Sequence, residues 1–246
     1  MARLRLFPLF LCLMLVVAAC TTSTTTPTAL PATNATAPTI GGGGNLILTL
    51  GDDPATLDPA LVGDVDSGLV VRHLFSGLVK LDNNLESVPD LAESIAVSAD
   101  ERTYTFKLRP GITFADGTAI TAEDVRWSIE RATDPATGPI VAPTYLDDIQ
   151  GVNEKVSGAA SSLSGLKVVD DQTLEITLRE PSALFLLKLT HPPSFVVDRR
   201  AVARGGDWFE QPNGSGPFSI DQWDRRRRLE LVPNLRYYGA AVKLDR

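Results

Sequence analysis

The sequence predicts an α/β fold, and three observations carry that prediction. First, Tyr104, Phe106 and Leu108 alternate with polar neighbours, the period of a half-buried strand. Second, Thr121 stands where a helix N-cap belongs, and Asp124 follows three residues later as a short capping box. Val125, Ile129 and Ala132 then recur at helical spacing, so one face of that helix is expected to pack inward. Third, two pairs of apolar runs flank turns. Residues 166–169 and 173–178 surround Asp170-Asp171-Gln172, and residues 218–223 and 229–232 surround a run of four arginines; each pair reads as a hairpin.

The elements follow in order. Residues 45–50, NLILTL, read as a short apolar strand that ends at Gly51. Residues 52–59 form a loop, and Asp66 is expected to cap a helix reaching about Phe75. Strands and turns then run to Leu108. Arg109-Pro110-Gly111 interrupts them, because proline lacks an N–H and glycine accepts positive φ. Ile112-Thr113-Phe114 resumes an extended run, and Ala115-Asp116-Gly117-Thr118 turns the chain into the capped helix. Residues 134–164, rich in Gly, Ser, Ala and Pro, read as loops around one short helix near 145–149. Residues 182–190 read as an apolar helix between the two hairpins. There is no internal repeat.

Composition bounds the rest. Hydrophobic residues make up 43% and charged residues 22%, enough apolar side chains for cores of useful size in a globular protein. At the start, Arg3 and Arg5 precede an apolar run over 6–17, and Ala18-Ala19 precede Cys20. That is a signal peptide over 1–19, too short for a spanning helix. A cysteine directly after the small residues points to lipidation of Cys20 as the mature N-terminus, the alternative being an ordinary secretory leader. Residues 20–44 then form a Thr/Pro/Gly-rich tether without charge or periodicity, spanning on the order of 25–30 Å. Gly41 to Gly44 are not a phosphate loop, since no Gly-Lys-Ser/Thr follows. The cysteines number 2, Cys12 in the leader and Cys20 beside it, so the folded part is expected to hold no disulfide. The whole chain carries 23 basic against 30 acidic residues, and loss of Arg3 and Arg5 widens the gap, which argues against a nucleic-acid partner.

Several segments together resemble a known family. They are LDP at 57–59, LFSGLVKLD at 74–82, LRPGITFADGTAITAEDV at 108–125 with the helix WSIERATDP, GSGPFSIDQW at 214–223 and NLRYYG at 234–239. In this order they resemble the extracytoplasmic solute-binding proteins of ABC importers, in the oligopeptide-, dipeptide- and nickel-binding branch known as family 5. The resemblance runs from Asn45 to the last residue. It implies a periplasmic-binding-protein-like fold of class II, type C cluster: a mixed-sheet large lobe from 45–65 and 206–246, with a smaller α/β domain inserted over 66–205. The family's second lobe has no counterpart, so the chain reads as an N-terminal part, expected to bind ligand weakly or not at all by itself. The implied function is capture of a peptide or similar small solute for an ABC permease by hinge closure, as a monomeric lipoprotein on the periplasmic or cell-surface side. In the family, the stretch before LDP lines the cleft with backbone groups; here it holds Asp53, Pro54, Ala55 and Thr56. Main-chain groups suit a binder of varied peptides, and Asp53 could face a ligand ammonium. Pro54 lacks the N–H an extended ligand strand could use. The competing reading is a polar loop that only covers the sheet. Tyr145 is a further candidate for stacking in the cleft.

Other motifs point to plainer roles. His73 and His191 lie far apart without Cys or HExxH spacing, so no metal site is expected, and nothing calls for a cofactor. Ser164-Gly165-Leu166-Lys167 fits S-x-x-K, but Gly165 and the strand-like LKVV run put the serine in a turn and not at a helix start. A serine–lysine penicillin-recognising enzyme is therefore an outlying alternative, and a sensory or scaffold lipoprotein on the same fold is the nearer one. Arg225 to Arg228 read as a solvated hairpin tip, with membrane or transporter contact as the other option. Trp127 and Trp223 read as core.

Overall fold

A computed structural model describes residues 43–246. The signal peptide, Cys20 and nearly all of the tether lie outside the described residues. In chain order the elements are α1 (Val65–Leu74), β1 (Val79–Leu81), β2 (Ser87–Pro89), β3 (Ala92–Val97), β4 (Thr103–Leu108), α2 (Ala122–Ala132), α3 (Ala142–Leu146), α4 (Val152–Val156), β5 (Leu166–Asp170), β6 (Thr173–Thr177), α5 (Phe185–Lys188), α6 (Arg199–Ala203), β7 (Phe218–Asp224) and β8 (Arg228–Pro233). The strands pair as β1-β2, β3-β4-β6-β5 and β7-β8, antiparallel throughout.

The four-stranded sheet follows from the alternation in β4. Tyr104, Phe106 and Leu108 all point into the core, and Tyr104 and Phe106 face Ile176 and Leu174 across the pair with β6. α2 lies against β5 and β6 and adds Val125, Ile129 and Ala132, each at most 2% exposed. The predicted capping box holds its start: Thr121 Oγ1 accepts from the Asp124 N–H, and the Asp124 carboxylate accepts from the Thr121 N–H at 2.9 Å. Phe114, Leu146, Ile149 and Phe185 complete this core. A second cluster joins Leu57, Val70, Val71, Leu74, Phe75, Phe195 and Val197, flanked by half-buried Trp127, Trp208 and Trp223.

Four expectations need correction. Residues 45–50 form no strand: they run extended and exposed, with Ile47 89% open, because no described strand lies alongside them. Backbone hydrogen bonds tie this segment to 243–246, through Gly43 N–H to Lys243 O and Leu46 N–H to Arg246 O, and Leu50 packs against the second cluster. The cap of α1 is Asp64, whose carboxylate accepts from the Ser67 N–H at 2.8 Å, and not Asp66. The short helix expected near 145–149 is α3, which begins earlier because Pro143 sits in its first turn, where a missing N–H costs nothing. The helix expected over 182–190 shrinks to α5, since 182–184 form a turn with no side-chain cap. α4 has no sequence signal: its N-cap is Gly151 at φ 93°, without a side-chain cap.

Gly165 explains the turn that carries the S-x-x-K motif. A Cβ there would stand 2.5 Å from the Thr177 carbonyl oxygen, so only glycine lets the chain enter β5. The Lys167 amine bonds the Glu175 carboxylate across the hairpin at 2.8 Å, and Ser164 precedes a strand. Among the described residues no helix is long and apolar enough to cross a membrane, and no group of three His, Cys, Asp or Glu is arranged to hold a metal ion.

Candidate functional site

The loop between Leu50 and Leu57 is built from two sides. On one side stands α1. Its Asp66 carboxylate accepts the N–H groups of Gly51 and Asp52, both at 3.0 Å. Its Ser67 Oγ accepts those of Ala55 at 3.0 Å and Thr56 at 3.5 Å. The Asp53 N–H goes to the Asp52 carboxylate at 2.7 Å. Every N–H from Gly51 to Thr56 is thereby satisfied within the protein, and Pro54 has none to offer. The carbonyls of Gly51, Asp52, Asp53, Ala55 and Thr56 receive no hydrogen bond from the described residues. An arrangement of this kind presents acceptors and withholds donors.

On the other side stands the β7-β8 hairpin. Trp223 Nε1 donates to Asp53 Oδ1 at 3.1 Å, and Arg225 Nη1 donates to Asp53 Oδ2 at 3.3 Å and to the Pro54 carbonyl at 3.0 Å. The Arg225 guanidinium lies over the Trp223 ring, 3.5 Å from its centre. Burial alone would raise the Asp53 carboxyl; hydrogen bonds from Trp223, the Arg226 backbone and Arg225 outweigh it and hold the group below the usual carboxylate range. Arg225 is thus no simple solvated tip residue, and Asp53 already has cationic and N–H partners.

The loop edges an open concavity of about 920 Å³, lined by 45–53, by Leu69, Val70 and His73 of α1, and by the hairpin, whose Phe218, Leu229 and Leu231 are joined there by the charged 226–228 and Glu230; Pro54, Ala55 and Thr56 do not line it. Tyr145 lies elsewhere. It stacks on His191 with ring centres 4.1 Å apart, in a concavity of about 440 Å³ that includes Arg72, Pro192 and Pro193. Burial, with the Arg72 charge adding to it, pushes His191 below the ordinary imidazole range. α1 contributes to both concavities, but Asp53 lines the first and Tyr145 the second, so the two do not share a pocket. Behind the loop, buried Asp58 of the LDP segment pairs with Arg131 of α2, Nη1 to Oδ1 at 2.9 Å.

The residues that fix the loop, Asp66, Ser67, Trp223 and Arg225, escape a sequence reading. Only the adjacency of tryptophan and arginine at 223–225 hints at a stack. The α/β fold, the capped α2 and the returning hairpin define the class. The profile of the bacterial extracellular solute-binding proteins, family 5, matches residues 86–246, and the chain belongs to that family. Among relatives, it is 34% identical over 193 residues to the probable deoxycholate-binding periplasmic protein YgiS of Escherichia coli, covering 76% of this chain and 36% of that one. It is 31% identical over 201 residues to the periplasmic oligopeptide-binding protein OppA of the same organism, covering 80% and 37%. Its structure is similar to that of the E. coli murein tripeptide binding protein MppA, with a TM-score of 0.72 at 34% identity, over 76% of this chain and 37% of that one. The chain therefore spans little more than a third of the length of the curated relatives it matches.

Proposed function

We propose that this chain is a substrate-binding component of an ABC importer that captures peptides or similar small solutes outside the cytoplasm, moored to the membrane through lipidated Cys20. The observation that carries the reading is the 51–56 loop: a segment hydrogen-bonded from two sides, whose carbonyls other than that of Pro54 receive no hydrogen bond from the described residues, and whose residues 51–53 edge an open concavity. Extended peptides bring N–H groups that such carbonyls accept. The names of OppA and MppA, which say oligopeptide and murein tripeptide, support this ligand class. In this reading Asp53, Pro54, Ala55 and Thr56 line the ligand, Tyr145 contributes from the second concavity, and the partner is a permease that senses lobe closure. Residues 45–65 and 206–246 belong to the large lobe and 66–205 to the inserted domain, in a monomer. No bond is broken in the ligand.

The test is mass spectrometry of small molecules that copurify with the full chain taken from its native membrane, together with the mass of its N-terminal peptide. Only weakly held peptides are expected in the eluate, because the chain spans little more than a third of its relatives' length, together with an acylated Cys20. An eluate without peptides overturns the ligand class, and an unmodified Cys20 overturns the anchor.

A further inference from the structure

The two supports of the loop divide its polar groups cleanly. α1 takes the N–H groups of Gly51, Asp52, Ala55 and Thr56, and the hairpin takes the Asp53 carboxylate and the Pro54 carbonyl. Arg225 joins the pieces. Its guanidinium lies over the Trp223 ring, reaches Asp53 and Pro54 with Nη1, and gives Nη2 to Glu210 at the end of the 3₁₀ turn Trp208–Glu210. A planar fork can stack and bond in several directions at once, which a lysine ammonium cannot. A ligand ammonium that sought Asp53 would have to displace this arginine.

We propose that Arg225 is a positioning and specificity-determining residue: seated on Trp223, it shapes the 51–56 loop and takes the Asp53 carboxylate out of contact with ligands. The loop then selects a solute by its N–H donors and not by a cationic amino group. This rests on the reading that the loop faces the ligand.

Two measurements on the full chain separate the parts. Amide hydrogen exchange reports loop shape without any ligand. In R225A, the amides of Gly51, Asp52, Ala55 and Thr56 are expected to exchange about tenfold faster, with α2 amides unchanged. R225K keeps the charge but loses the fork, so its loop amides are expected to stay fast. Calorimetric titration with trialanine and N-acetyl-trialanine, at millimolar peptide because the chain by itself is expected to bind weakly, reports selectivity. The unmodified chain and R225K are expected to bind the two within about twofold, whereas R225A gains about fivefold for the free amine as Asp53 is released. Unchanged loop exchange in R225A overturns the positioning role. A fivefold preference for the free amine in the unmodified chain overturns the withdrawal of Asp53. Failure of the unmodified chain to bind either peptide counts against the functional reading, while the exchange result still upholds or overturns the positioning role.

Discussion

Replacing Arg131 by alanine strikes the support beneath the loop. Asp58 is 2% exposed and its partner's side chain 14% exposed, so the pair lies far from the surface regime in which ion pairs contribute about 0–1 kcal/mol. Arg131 donates to both carboxylate oxygens, and Oδ1 also accepts the Ala60 N–H at 3.1 Å. Two charge-assisted bonds at about 1.5–3 kcal/mol each set the scale. Arg131→Ala leaves a buried carboxylate with one backbone donor, and the expected cost is about 3–5 kcal/mol. For a domain of this size that lowers Tm by roughly 6–20 °C. Asp58→Ala should cost less, because the freed guanidinium still lies over Trp208, 5.5 Å from the ring centre. The double variant should recover at least about 2 kcal/mol relative to the sum of the singles. Urea denaturation of all four proteins completes the cycle. A loss below about 1 kcal/mol for Arg131→Ala, or additive singles, would refute the reasoning, since either means the carboxylate finds equal solvation without the arginine.

Three further outcomes are expected. Thr121→Ala removes one half of the capping box of α2 and should cost about 1 kcal/mol, read as a fall in the urea midpoint. Gly216→Ala places a Cβ 2.4 Å from the His73 carbonyl oxygen and 2.6 Å from the Leu74 carbonyl carbon, backbone atoms that cannot swing aside. Gly216 also donates to Leu74 O, so a loss of about 2 kcal/mol or more should appear in thermal melts monitored by circular dichroism. His191 has a folded pKa depressed first by burial and then by Arg72, so its contribution is present above the unfolded value of about 6.5 and lost as pH falls through the folded value. Stability should therefore fall as pH drops below about 6.5, and His191→Gln should flatten that slope. Asp53, also depressed, contributes above its unfolded value near 3.9 and loses that contribution only in more acid solution, so the two steps separate in a pH series of urea midpoints.

What could be seen in the sequence was local. The alternation through Tyr104, Phe106 and Leu108 needs only neighbours to be recognised, and so does the Thr121–Asp124 capping box. The hairpins were legible because each turn lies between its own strands. Residues 45–50 were not, because an apolar run becomes a strand only when another strand lies beside it, and that is a non-local fact. The two aspartates at the start of α1 show the same limit. Asp64 and Asp66 both precede its buried apolar positions, and either could cap. Asp64 bonds the N–H three residues on, whereas Asp66 reaches back to Gly51 and Asp52. The loop's position came from family resemblance, and its chemistry came from contacts as distant as Asp53 and Arg225.

The four consecutive arginines show how far a charge count can mislead. As a string they read as a solvated hairpin tip and leave a basic patch for lipid phosphates or a transporter as the other option. In the fold they are largely paired: Arg225 meets Asp53 and Glu210, Arg227 meets Asp224, and Arg228 meets Glu230. The last two side chains are 79% and 63% exposed, so their ion pairs contribute little to stability. Those carboxylates nonetheless cancel the field that would draw an anionic surface. Arg226, at φ 60°, is the member of the run with no carboxylate in ion-pairing range among the described residues. One such cation beside three paired arginines does not make an electrostatic patch, and the hairpin acts through Arg225 on the loop behind it.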